Sequence, residues 1–559
     1  MSKIIKNFTI LFRKYPIFRV FSVVVFILLV VGLFSLINYR SRKVPIITSI
    51  TPPVGAPGDI MIISGENFGP TRNTSDYVEV SGSKITASGY LAWQDTLIKI
   101  ILPANVQDGL VIVSTKSGSS EPGFFANKAG IPVEVPPDTK TSLPIITAIN
   151  SEKSTIGSLL IITGINFGTI RNNSTVYFTA NRDNKDNNAV FLSANEDNFD
   201  YEYWSDSEIH LRIPEGASSG QLYVQTEKGI SNYFNLNLKS PIGSKSYTGK
   251  KTYLIQLTED IENINSKVNT TLSLRVPYPP TTASQSLAKL TECSPEPVFE
   301  RYQNTIIHQL ELSKSSALQT KFNQNYVIEE HTVHTKINPK AVKPFSEKTR
   351  VLYTAYTDSN RLINCEDEDY IKLAKQIVKK ETNPYLQAKL IYDYIIDNFQ
   401  LEESLRPNGS SAKDLILNKK GDAFDFAILY TTLLRICKIP SITVSGILVD
   451  SDLKCNNHWW NEFYIENFGW VPVDTVLGKG LEYKSFRPIE NTKDFYFGNI
   501  DSQHITFSRG WNELKPSLTN SKIVYRERTY ALQSIWEESS TGIVNYSSLW
   551  NDPIVVGIY

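Results

Sequence analysis

Sulfur and imidazole are scarce in this chain: 559 residues contain two methionines, four cysteines and six histidines. Cys293, Cys365, Cys437 and Cys455 are too few and too scattered for a disulfide-built scaffold, and none forms a Cys-x-x-Cys metal knuckle. In an oxidising compartment they would allow two disulfides, in three alternative pairings. His210, His308, His331, His334 and His504 show no ligand spacing with cysteine or paired carboxylates, so neither a metal site nor a cofactor is expected. A charge surplus is also missing. Lys plus Arg and Asp plus Glu number 57 each, which leaves no long-range field to draw nucleic acid or an acidic partner. With 41% hydrophobic and 20% charged residues the chain is not wholly disordered, and its length calls for several domains.

Charge is absent altogether from Val20 to Ile37, a run of Val, Leu, Ile and Phe long enough to cross most of a bilayer as a helix. Lys3, Lys6, Arg13, Lys14 and Arg19 precede it, and Arg40, Arg42 and Lys43 follow. That bias predicts a cytoplasmic amino terminus (1–17), a single-pass membrane anchor (18–38) and an extracytoplasmic body. No small-x-small cleavage site follows the run, which favours an uncleaved anchor over a signal peptide.

Comparing the chain with itself reveals a repeat. Pro45, Gly65, Asn67, Phe68 and Gly69 return as Pro144, Gly164, Asn166, Phe167 and Gly168, and Trp93, Pro103, Gly109, Val113 and Gly118 return as Trp204, Pro214, Gly220, Val224 and Gly229. The offset grows between the two sets, placing an insertion in the polar stretch 181–188. Short apolar runs bounded by Gly, Pro and Asn, such as Ile60 to Ile63 and Leu159 to Ile162, read as strands and turns. The Gly-x-Asn-Phe-Gly turn and the late Gly-x-x-x-Val strand make 44–127 and 144–238 resemble IPT/TIG domains. That likeness implies two all-β immunoglobulin-like sandwiches acting as spacers or binding modules, joined by the Pro-rich linker 128–143. A β-rich lobe is expected over 252–345, a mixed α+β domain over 365–512 and a C-terminal extension over 513–559. Helical spacing runs from Asp369 to Val378 and from Pro384 to Phe399.

The stretch Gly421-Asp422-Ala423-Phe424-Asp425-Phe426-Ala427 predicts a helix from Ala423 to about Cys437 with Asp422 as its cap. Downstream, His458-Trp459-Trp460 and Gly469-Trp470-Val471-Pro472-Val473-Asp474 read as a hairpin. A turn centred on Glu466 would set His458 opposite Asp474 on one face. These motifs resemble the transglutaminase-like superfamily of papain-like fold, whose core reads Gly-x-Cys-x-Asp-x-Ala, His-x-Trp and Gly-Trp-x-x-x-Asp. Phe495 to Gly498 and Phe507 to Gly510 resemble the tail of bacterial members. By that resemblance His458 takes the place of the catalytic base and Asp474 that of its orienting carboxylate. Trp460, Asp422 and Trp470 are the candidate binding residues, and the nucleophile position holds Ala423.

A methyl group cannot become a thiolate, attack an acyl carbon or form a thioester. Cys437 would lie ~21 Å along the same helix. Cys455, three residues before His458, would point to the opposite face of its strand. The expectation is therefore a pseudoenzyme that binds an extracytoplasmic peptide, protein or cell-wall polymer of a bacterial envelope. The alternatives are an active cysteine-type peptidase or acyl transferase, and a purely structural domain.

Overall fold

The computed structural model describes residues 43–559, apart from 74, 104–105, 128–142, 151–153, 183–189, 267, 269, 313–318, 408, 512–513, 519–520 and 541–542. The expected anchor, nearly all of the linker and most of the insertion lie outside the described residues. Among the described residues no helix is long and apolar enough to cross a membrane. The chain divides into two compact units, 1–130 and 131–559.

In the first unit, Ile46–Thr51, Ile60–Glu66, Leu97–Ile101 and Tyr90–Gln94 form one antiparallel sheet. A second sheet is built around Tyr77–Val80 and Gly109–Thr115. Alternate residues of Ile60–Glu66 are buried, so Met61 and Ile63 join Val78, Ile98, Val111 and Phe125 in a core between the sheets.

The second unit opens with the same device. Ile145–Asn150, Leu159–Ile165, Glu208–Arg212 and Tyr201–Trp204 pair in the corresponding order, against a sheet centred on Thr175–Ala180 and Ala217–Thr226. The repeated residues have repeated physical duties. Asn67 and Asn166 both take positive φ, 64° and 63°, and their amides donate to the carbonyls of Val44 and Leu143. A Cβ on Gly65 would lie 1.9 Å from the Ile46 carbonyl oxygen, and one on Gly164 would lie 2.1 Å from that of Ile145. Trp93 Nε1 donates to the Phe68 carbonyl at 2.9 Å, and Trp204 Nε1 to that of Gly168 at 3.1 Å. The motif is thus a turn whose glycine admits a backbone crossing and whose aromatic pair seals the core.

Beyond it lies a lobe of two five-stranded sheets. One is built on the long pair Gly243–Ser266 and Thr320–Ile337, the other on Thr270–Pro277 and Thr305–Leu312. The segment after residue 512, expected as an extension, supplies strands to both. Ile543–Trp550 and Ile554–Ile558 pair with Gly243–Ser266, and Trp536–Ser539 pairs with Thr270–Pro277. The chain's last strands therefore close the lobe that precedes the mixed domain.

That mixed domain contains α1 (Glu368–Val378), α2 (Pro384–Asn398) and α3 (Ala423–Ile436). Its sheet is made of β1 (Ser441–Val449), β2 (Cys455–Ile465), β3 (Gly469–Val473) and β4 (His504–Arg509), in the order β3-β2-β1-β4. A short α4 (Thr475–Lys479) follows β3. Every residue of β1 is buried because both faces are covered. Helices α1 to α3 pack on one side with Phe463 and Val473, and Ile447, Val449, Ile505 and Phe507 meet Tyr253, Tyr326 and Ile328 of the lobe on the other. Helix α3 is buried from Phe424 to Arg435, as an all-round apolar helix must be.

Gly164→Ala should lower the thermal midpoint of the second module by several degrees, since its Cβ would strike backbone. Gly480→Ala, with φ 101° but nothing within 4 Å, should cost only about 1 kcal/mol. Scanning calorimetry of the two variants checks the contrast.

Candidate functional site

Ala423 is the first residue of α3, and the groups around it explain why the helix starts there. Asp422 caps it, accepting from the Asp425 amide at 3.0 Å, while the Asp425 carboxylate accepts from the Asp422 amide at 3.1 Å, a reciprocal capping box. Both carboxylates are fully buried. Their charge is balanced by two arginines distant in sequence. Arg528 reaches both oxygens of Asp422 at 2.6 Å and Asp425 Oδ1 at 2.8 Å, and Arg406 reaches Asp425 Oδ2 at 2.7 Å. The Arg528 guanidinium also lies 4.4 Å from the Phe424 ring centre. Leu532, from the same returning segment, joins the cluster of Phe424 and Trp459 against which Ala423 packs. Asp422, a candidate binding residue from the sequence, therefore has its carboxylate committed to a cap and an ion pair.

His458 and Asp474 meet as the motif requires, with His458 Nε2 2.5 Å from Asp474 Oδ2. The hairpin turns one position later than expected, which slips the pairing by two residues. Asn461 pairs with Val473 and Ile465 with Gly469, so the turn centres on Asn467, which takes φ 67°. Asp474 then falls just past β3 and caps α4, its Oδ1 accepting from the amides of Val476 and Leu477 at 2.9 and 2.8 Å. The sequence reading missed a third member. His504, at the start of β4, places its Nε2 3.1 Å from the same Asp474 Oδ2 and its Nδ1 2.9 Å from Asp501. Tyr483 and Tyr496 hydroxyls donate to Asp501 Oδ2 at 2.5 and 2.8 Å. All three of His458, Asp474 and His504 are at most 2% exposed. Burial alone would raise the Asp474 carboxyl, but the His458 and His504 imidazoles outweigh it and hold the group well below the usual carboxylate range.

Cys365 packs against the same apolar cluster as Ala423, where burial pushes its thiol up, and the other thiols are placed elsewhere. Cys437 ends α3, and Cys455 faces the lobe's core, away from the dyad. All four cysteines are free. Cys293 Sγ does lie 3.8 Å from His308 Nε2, inside the lobe. Burial pushes that thiol up to about 11 and that imidazole down to about 4, so the pair is neutral rather than a thiolate with an imidazolium.

A cavity of about 60 Å³ lies where the second module, the lobe and the mixed domain meet. Trp460, Trp470 and His504 line it, together with Asp200 and Glu330. Neither Ala423 nor His458 does. Asp200, 4% exposed, accepts from the Asn195 amide at 2.8 Å, and burial pushes its carboxyl up to about 7 against that hydrogen bond. Glu330, 2% exposed, has one carboxylate oxygen without a hydrogen-bond partner, and burial pushes it well above the carboxylate range.

Comparison with known proteins matches residues 371–475 to the transglutaminase-like superfamily core and residues 45–126 to the IPT/TIG domain. This chain carries a transglutaminase-like domain preceded by an IPT/TIG domain. An uncharacterized protein of Haemophilus influenzae is 26% identical over 163 residues, 24% of this chain and 44% of that one. A cyclomaltodextrin glucanotransferase of Paenibacillus macerans is 39% identical over 75 residues, 13% of this chain and 10% of that one. The chain thus spans less than half the length of each of these curated relatives. Among solved structures, a provisionally assigned cysteine protease from Cytophaga hutchinsonii has a TM-score of 0.35 at 17% identity, over 55% of this chain and 93% of that one. The periplasmic domain of TgpA from Pseudomonas aeruginosa has a TM-score of 0.23 at 11% identity, over 43% and 88%.

Two outcomes follow from this geometry. Arg528→Met strands the buried Asp422 carboxylate and leaves Asp425 to Arg406 alone, and should destabilise the second unit by about 3–5 kcal/mol, with Arg528→Lys giving only partial rescue because the fork is lost; urea unfolding reads both. Asp200 has a folded pKa above its unfolded value, so its contribution is fully present below about pH 4 and lost as pH rises through about 7. Asp200→Asn should therefore raise the thermal midpoint at pH 8, by up to about 4 kcal/mol in stability, and leave it unchanged at pH 4.

Proposed function

We propose that this chain is a membrane-anchored, extracytoplasmic transglutaminase-like protein that binds a ligand without turning it over. One observation carries the reading: the position at which the superfamily places its nucleophile holds Ala423, and the cap in front of it is closed by Arg528. Loss of the nucleophile from such a constellation costs ~10⁶-fold in turnover. The His458 and Asp474 pair serves a buried polar network here, because Asp474 also caps α4 and accepts from His504. Cys437 at the far end of α3 and Cys455 against the lobe's core lie away from the vacated position, and burial pushes the thiol of Cys365, in the cluster beside Ala423, above its ordinary value.

The anchor is read from the charge-free run Val20 to Ile37, and the extracytoplasmic placing from the basic residues before it. The binding role is read from the cavity beside Trp460 and Trp470, where aromatic walls and buried carboxyl groups face one space. The ligand class is an extracytoplasmic peptide or envelope polymer.

A thiol-directed acyl probe applied to the native chain at neutral pH should label no cysteine faster than a free thiol. Rapid labelling that disappears in His458→Ala would overturn the non-catalytic reading. In parallel, photo-crosslinking from position 470 on whole cells should capture envelope peptide or polymer, and capture that is unchanged by Trp460→Ala would count against the cavity as its site.

A further inference from the structure

His458, Asp474 and His504 come from three separate elements, β2, the β3 to α4 junction and β4, yet their ligand atoms all lie within 4.8 Å of one another. We propose that these three side chains form a binding site for a divalent transition-metal ion of the zinc class, at the position where the superfamily fold otherwise keeps its base and orienting carboxylate. The proposal does not depend on the ligand-binding reading of the neighbouring cavity.

The donor set is two imidazole nitrogens and one carboxylate oxygen. That combination suits zinc, cobalt or iron in the divalent state and is poorly matched to calcium or magnesium, which prefer oxygen alone. Metal-to-ligand distances of about 2.0–2.2 Å place neighbouring donors roughly 3–3.4 Å apart. The Asp474 oxygen stands 3.1 Å from His504 Nε2 and 2.5 Å from His458 Nε2, with all three ligand atoms within 4.8 Å of one another, so uptake asks that the two imidazoles turn toward a shared centre beside that oxygen.

The surroundings support the same assignment. A metal-bound imidazole ordinarily passes its other N–H to a carboxylate that fixes the ring, and His504 Nδ1 does so to Asp501 at 2.9 Å. Asp501 is in turn held by the hydroxyls of Tyr483 and Tyr496. The ligating carboxylate is oriented as well, because Asp474 Oδ1 is pinned by two backbone amides and only Oδ2 faces the imidazoles. Trp460 packs beside both rings, with its centre 6.2 Å from that of His458 and 5.2 Å from that of His504. An approach exists as well. His504 lines the cavity of about 60 Å³, room for water to complete the coordination, and the partnerless oxygen of buried Glu330 lines the same space as a hydrogen-bonding partner for such a water. His504, whose two ring nitrogens face Asp474 and Asp501, gives up its Nε2 proton to take the ion, so uptake releases a proton.

The test is titration of the purified, chelator-stripped full chain with Co²⁺, followed by displacement with Zn²⁺. One equivalent should bind with the visible absorption of a low-coordinate nitrogen and oxygen site, and zinc X-ray absorption should show two imidazoles at about 2.0 Å. His504→Gln should abolish stoichiometric uptake, and Asp501→Asn, which leaves all three ligands in place, should weaken it by about 10–100-fold. The spectroscopy on the unaltered chain stands whether or not a variant folds. Absence of stoichiometric uptake, a coordination sphere without imidazole, or affinity indifferent to both substitutions would overturn the site.

Discussion

The structure turns on a buried group of four charges at the amino terminus of α3. Asp422 and Asp425 are a capping box, which fixes where the helix begins, but a capping box made of two fully buried carboxylates is stable only if cations follow them inside. Arg406 comes from the loop before α3 and Arg528 from the segment after the domain. The second of these has the wider consequence. Arg528 lies between Lys522–Tyr525 and Trp536–Ser539, two paired strands of the lobe's second sheet, so the connection between them reaches over to the helix. One ion pair thus ties the helix start to the lobe. It also occupies the ground before Ala423, the end of a helix whose dipole would otherwise favour an anion or a thiolate there.

How much of this could be read from the chain alone follows from the range of the interactions involved. The cap of α3, the helices of 368–398, and the paired immunoglobulin-like repeats are written in residues a few positions apart. Asn67 with Val44 and Trp93 with Phe68 bridge 23 and 25 residues, and duplication of the pattern at Asn166 and Trp204 made them visible. The His458 and Asp474 pair was legible through its motif, although the hairpin that carries it turns at Asn467 rather than Glu466, a difference set by the residue able to adopt positive φ.

The contacts that escaped notice have no local signature. Arg528 lies 106 positions from Asp422, and nothing around it distinguishes it from a solvated surface arginine. His504 lies 30 positions beyond Asp474. Its role arises because β4 pairs with β1 rather than with β3, and sheet order is a tertiary fact that period and composition do not encode. The final strands were missed for the same reason: an edge added to a sheet begun 290 residues earlier looks, in isolation, like any short apolar run.

These two kinds of contact bear differently on what His458 and Asp474 do in this fold. In a working thiol enzyme the imidazole answers to the sulfur, and the carboxylate answers to the imidazole. Here Asp474 answers to four partners: His458, His504 and two amides of α4. Removing it would leave two imidazoles and a helix end unsatisfied in a dry interior, a structural penalty independent of turnover. Retention of His458 and Asp474 is therefore no measure of catalysis in this fold. The informative position is one whose only conceivable work is chemical, and by the resemblance that position is Ala423.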